Sequence, residues 1–200
     1  MKKGFTLAEL LVTLGIIGVV AAMTLPSFIN KAADAKIGPS LAKAVSSFDQ
    51  ANKALLADKE VEAVSEIITL ELGQDIFSYW DMLSDYMIIS NERDYSTLEV
   101  NTEEGFSFKI LPNASTVSLV ASSLPHLQEL TDCVIDINGK DLPNDVGTDQ
   151  FYFKLMNDGS LQPYGANGIW KQYCPVGEVP TDPKYCSGHI FENGFKILYE

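Results

Sequence analysis

Three groups of residues in this 200-residue chain have types and spacings that could do chemistry. The first is the run from Asp136 to Asp149, where Asp136, Asn138, Asp141, Asp145 and Asp149 share a loop with Gly139, Pro143 and Gly147. Hard cations such as calcium take about six to eight oxygen ligands, so a calcium ion held by these side chains is one reading. The spacing departs from an EF-hand, because the glycine comes too early and the twelfth position counted from Asp136 is Gly147 rather than glutamate. The other reading is a tight hairpin turn at Asn138–Gly139 whose acids are simply hydrated. The second group is the three cysteines. Cys174 and Cys186 bracket Pro175, Gly177, Pro180 and Pro183 in a segment with little apolar content, and a bridge there would contribute about 3 kcal/mol in the chain-entropy model. Cys133 lies in a strand-like run that suits a buried thiol, and three cysteines leave three single-bridge pairings open. The third is Glu9, the one charge between residues 5 and 25. An acid in a bilayer helix costs roughly 2.5 to 3.5 kcal/mol and calls for a partner of opposite sign.

No catalytic constellation accompanies these groups. His126 and His189 are far apart and read as ordinary surface or strand residues, and neither an HExxH nor a GxSxG setting occurs, so the chain reads as a non-enzyme. With 27 acidic residues against 14 basic ones the formal charge is -13, which opposes a phosphate-tracking surface and makes nucleic acid an unexpected partner. Twelve of the acids fall between residues 60 and 104 beside a single cation, Arg93, in the pattern of a solvated face. At 46% hydrophobic and 20% charged the chain has the composition of a folded protein.

The element that positions Glu9 is an apolar helix. Lys2 and Lys3 precede it, and Leu10 to Leu25 carry no charge. A helix over residues 5 to 25 would be about 31 Å long, matching a hydrocarbon core of about 30 Å. The basic leader places the amino terminus on the cytoplasmic side. A cleaved secretory signal would also have a basic start and small residues such as Ala21 and Ala22. Its apolar core, however, runs only about 7 to 15 residues and has no use for a carboxylate. Gly15, Gly18 and Pro26 weaken the helix, either as ordinary membrane packing or as a place to bend.

Residues 2 to 26 resemble the class III leader and first helix of type IV pilins and type II secretion pseudopilins. The Gly4–Phe5 junction, Glu9 four residues after Phe5, the unbroken apolar run and Pro26 carry the likeness. The resemblance implies that a prepilin peptidase cuts between Gly4 and Phe5 and methylates the new amino terminus. It also implies that the Phe5 ammonium meets Glu9 of a neighbouring subunit in a filament. The implied partners are prepilin peptidase, other pilin or pseudopilin subunits, an inner-membrane assembly platform and, before assembly, lipid. Pilin-like proteins often close a carboxyl-terminal disulfide loop, which favours Cys174 with Cys186. Major pseudopilins hold calcium in a loop comparable to residues 136–149.

Beyond the apolar block, Ile37, Leu41, Val45, Phe48, Ala51 and Leu55 recur at helical spacing, predicting the amphipathic half of a long helix with an interruption at Gly38–Pro39. A second helical pattern runs from Ala57–Asp58 through Leu72 to Gly73, and a third is marked by Ile76, Trp80, Leu83 and Met87. After Asn91 the period drops to two: residues 98–100, 106–110, 116–120, 133–137, 151–155 and 190–199 read as strands. The expected fold is α+β, a long amino-terminal helix packed on a carboxyl-terminal antiparallel sheet with short helices inserted between. Its expected parts are a leader (1–4), a membrane and filament-core helix (5–29) and an extracytoplasmic globular domain (30–200). The expected function is a structural subunit of a type IV pilus or type II secretion pseudopilus. The alternative is a membrane-anchored ectodomain acting as a filament-tip adhesin or binding module.

Overall fold

The computed structural model describes residues 6–70, 76–94, 99–103, 105–111, 129–139 and 141–196. The chain divides into two compact units, one ending at Lys36 and one beginning at Ile37, and helix α1, Leu7–Asp58, contributes to both. In the first unit the large apolar side chains from Leu7 to Met23 are exposed, among them Leu11, Leu14, Ile16 and Ile17.

In the second unit α1 is followed, among the described residues, by α2 (Val64–Leu70) and α3 (Ile76–Ser84), then by six antiparallel strands paired in sequence order. These are β1 (Ile89–Asp94), β2 (Glu99–Thr102), β3 (Ser107–Leu111), β4 (Glu129–Asp136), β5 (Gln150–Met156) and β6 (Leu161–Pro163). Helices α4 (Trp170–Tyr173) and α5 (Cys186–Glu192) close the described chain. This is the expected α+β arrangement, an apolar amino-terminal helix followed by helices and an antiparallel sheet.

Packing follows from the two periodicities. Ile37, Leu41, Val45, Phe48, Ala51 and Leu55 form one buried stripe on α1. On β5, Phe151, Phe153 and Leu155 are buried and alternate with partly exposed Tyr152 and Lys154. Register sets Cys133 opposite Ile110 and Phe153, and Ile135 opposite Phe108 and Phe151, so one sheet face is continuous and apolar. Phe48 joins stripe to sheet: its ring centroid lies 5.3 Å from that of Phe108 and 6.2 Å from that of Trp80. One buried polar chain crosses this core, in which the Tyr79 hydroxyl donates to Asn52 Oδ1 at 2.6 Å and Asn52 Nδ2 donates to the Gly159 carbonyl. Gly159 has φ +79°, and a Cβ there would collide with the Asn52 amide, so the turn between β5 and β6 needs glycine twice over.

Several expectations are corrected. Helix α1 runs through Gly38–Pro39 without interruption. Pro39 lies on the exposed side of the helix. Gly38 is buried, and a Cβ there would overlap the Phe195 carbonyl, so its role is close approach rather than helix breaking. Of the strand expected over 190–199, the first three residues belong instead to α5, whose residues Cys186 to Ile190 are all buried and show no alternation, and 197–199 lie outside the described residues. The second helix begins at Val64 rather than at Ala57–Asp58 and is described to Leu70; its expected stop at Gly73 lies outside the described residues, as does the strand expected at 116–120.

Candidate functional site

At the head of α1, Thr6 and Glu9 form a capping box. The Thr6 N–H and hydroxyl both donate to Glu9 Oε2 at 2.8 Å, and the Glu9 N–H donates back to Thr6 Oγ1 at 3.3 Å. Backbone donors at a helix start have no partner within the helix, and this exchange occupies two of them. It also gives the one acid of the apolar stretch two local donors, a partial answer to its cost in lipid. The 18-residue stretch Leu7–Thr24 is long and apolar enough to cross a membrane. Gly4 and Phe5, the expected processing site, lie outside the described residues.

At the other end of the chain, Cys174 and Cys186 are bonded, with Cα atoms 5.3 Å apart. Cys133 is a free, buried thiol, and burial pushes its pKa up to about 12. The loop between β4 and β5 is held by two carboxylates acting on protein donors. Asp149 accepts from Asn138 Nδ2 at 3.1 Å and from the backbone N–H groups of Asn144 and Asp145 at 2.8 and 2.6 Å. Asp136 accepts from Gln150 Nε2 at 3.0 Å and the Asn138 N–H at 3.2 Å. Burial raises the Asp136 pKa; the Gln150 bond opposes the rise and the nearby Asp149 charge adds to it. Asp141 and Asp145 are exposed. Among the described residues no three His, Cys, Asp or Glu side chains are grouped to hold a metal ion, although Asn138 Oδ1 is buried without a hydrogen-bond partner there. The five side chains proposed for calcium thus divide into two that fasten the turn, two in solvent, and Asn138 between them. This arrangement does not fit a shared cation, and no chemistry is derived through one.

Residues 1–25 match the family model of the prokaryotic N-terminal methylation motif, the signature of type IV pilins and pseudopilins. The chain carries the pilin-type methylation motif. No curated protein and no solved structure matches it. The motif supports a processed, pilin-like subunit, of a kind that is structural rather than enzymatic. Together with the exposed apolar helix it marks a single-pass, membrane-anchored protein.

In this motif-bearing chain two positions escaped the sequence reading. Thr6 was legible in principle, because Thr6 and Glu9 stand at capping-box spacing ahead of an apolar run. His189, expected at the surface or in a strand, is instead buried on α5, stacked on Trp170 with ring centroids 4.3 Å apart and with Nε2 unpartnered among the described residues. Burial holds its pKa below the usual imidazole value. The Trp170 indole N–H in turn donates to Glu192 at 2.8 Å, and the Gly168 N–H donates to the same carboxylate at 3.0 Å. These contacts span 22 and 24 residues and leave no local pattern to read.

Proposed function

We propose that this chain is a structural subunit of a type IV pilus or type II secretion pseudopilus. Prepilin peptidase cuts it between Gly4 and Phe5 and methylates the Phe5 amino group. The subunit waits in the inner membrane with its amino terminus in the cytoplasm, and an assembly platform then moves it into a filament outside. The observation that supports this best is the exposed apolar face of α1 within the methylation motif, headed by a single acid. Lipid accepts such a helix before assembly and sister helices accept it afterwards. Glu9 supplies register: once Phe5 is the new terminus, its ammonium on one subunit pairs with Glu9 of the next, and only one stagger satisfies both charges. The test is intact-mass measurement of the protein extracted from membranes. The expected product lacks residues 1–4 and carries one added methyl group. A mature terminus after Ala22 would make the chain a secreted protein and end this reading.

A further inference from the structure

The second unit holds two surfaces of opposite charge that this chain does not bring together. The first is a groove of about 1080 Å³ between the start of α2, the β5–β6 hairpin and α5. Leu161 and Phe191 give it apolar area, Glu62, Glu66, Asp158 and Glu192 line it with carboxylates, and no Lys, Arg or His is among its lining residues. Three of these acids are fixed by the fold, Asp158 by the Ser160 N–H and hydroxyl at 2.9 and 2.6 Å. Glu66 accepts from the N–H groups of Glu62 and Ala63 at 3.2 and 3.0 Å, and Glu192 is held by Trp170 and Gly168. The negative lining is therefore preorganised.

The second surface is the solvent side of α1. Pro39, Lys43, Ser46, Gln50, Lys53 and Ala57 follow at intervals of three and four residues, so they share one helix face, and all are exposed. In a chain of net charge -13 this face presents two cations and no fully exposed carboxylate. Its other residues are small or neutral, so a neighbour can approach closely. Two acids adjoin this face along the helix: Asp49 is half-buried, burial raising its pKa while the Lys53 charge opposes the rise, and Asp58 is exposed and accepts from the Tyr86 hydroxyl at 2.8 Å.

We infer that the acidic groove of one copy receives the Lys43–Lys53 face of α1 from a second copy. The inference rests on the assembly reading above and adds to it the surfaces through which globular units meet. Charge favours the pairing, because four carboxylates line the groove and two lysines stand on a helix face whose own residues carry none. Groove and helix face are different surfaces, so the contact is heterologous and can repeat from copy to copy, as a filament requires.

Charge reversal in the full chain tests it. Lys43 stands fifteen residues before the end of α1 at Asp58, about 22 Å along the axis. Glu62 follows that end, so rescue of one reversal by the other reads a contact across two copies. Lys43→Glu and Glu62→Lys should each reduce sedimentable filament by about tenfold, and the double variant should recover to within about threefold of wild type. Lys43→Arg, which keeps the charge, should assemble normally. An unchanged melting curve of each variant in detergent confirms an intact fold. Wild-type yield from both single reversals, a double variant no better than either, or loss of assembly with Lys43→Arg would overturn the docking while leaving the filament reading in place. A wild-type chain that is neither processed nor assembled would remove both.

Discussion

Helix α1 contains two apolar stretches with opposite fates. From Leu7 to Met23 every large hydrophobic side chain is exposed, Leu11 to 64% and Ile17 to 62%, whereas Leu41, Phe48 and Leu55 farther along are wholly buried. The difference is distribution. The first stretch is apolar on all sides, and the second confines its apolar residues to one stripe with Lys43, Ser46, Gln50 and Lys53 on another face. A stripe is completed by a sheet in the same chain; an all-round surface is completed only by lipid or by other helices. Apolar content therefore distinguishes a core from an assembly surface only when read with its periodicity.

Substitutions that exchange the two fates test this contrast. The largest expected effect belongs to Glu9→Ala, which should leave membrane insertion intact and lower filament yield by more than about tenfold, because the pairing proposed to set stagger would be gone. Quantifying extracted and sedimented fractions would show it, and normal assembly would dismiss the register argument. Next is Phe48→Ala, which removes a ring packed between Trp80 and Phe108 and should cost about 3 to 5 kcal/mol of globular-unit stability in denaturant titration. Leu14→Ala, in the exposed stretch, should shift the same titration by less than about 0.5 kcal/mol. Equal costs at the two sites would collapse the distinction between the stretches.

Removing the bridge with Cys174→Ser and Cys186→Ser should cost about 3 kcal/mol, since the closed loop is short. A loss near zero would mean that Glu192 and Trp170 already fasten this end. His189 gives a smaller, pH-dependent effect. Its folded pKa is depressed by burial, so its contribution is complete above the unfolded value of about 6.5 and is lost as pH falls through the folded value. His189→Phe should flatten that part of the stability profile, and an unaltered slope would assign it to other groups. Smallest of all is calcium: with Asp149 and Asp136 engaged by protein donors, the melting temperature should not change between chelator and millimolar ion. A rise with the logarithm of concentration would restore the cation reading of residues 136–149.

What could be read from the sequence was what is local or periodic. The methylation-motif region, the α1 stripe and the alternation of β5 each repeat within a few residues, and each was legible. Helix α5 was not, because Cys186 to Ile190 are buried consecutively against neighbours from distant parts of the chain. Gly188 sits so close to Tyr164 and Gly165 that a side chain would not fit, and its N–H donates to the Tyr164 carbonyl at 2.7 Å. Neither constraint is written within α5 itself. Gly38 misled for the same reason: beside Pro39 it resembled a helix breaker, while its true constraint is Phe195, far along the chain. The acidic loop could be recognised as oxygen-rich, but its division into fastening and solvent-exposed acids depended on which N–H groups the turn directed at Asp149.

The free thiol of Cys133 bears on the order of events during maturation. In an oxidising compartment a third cysteine is a competitor, able to capture Cys174 or Cys186 before they find each other. Thiolate is the attacking species, and with a pKa near 12 and a position between Ile110 and Phe153 the folded sheet leaves Cys133 almost no thiolate and no access. The competition is therefore confined to the interval before β3, β4 and β5 close. A subunit that assembles its sheet before meeting oxidant makes the native bridge by default, and one oxidised too early has two wrong partners available. Sheet closure thus limits the interval in which Cys133 can compete for either partner.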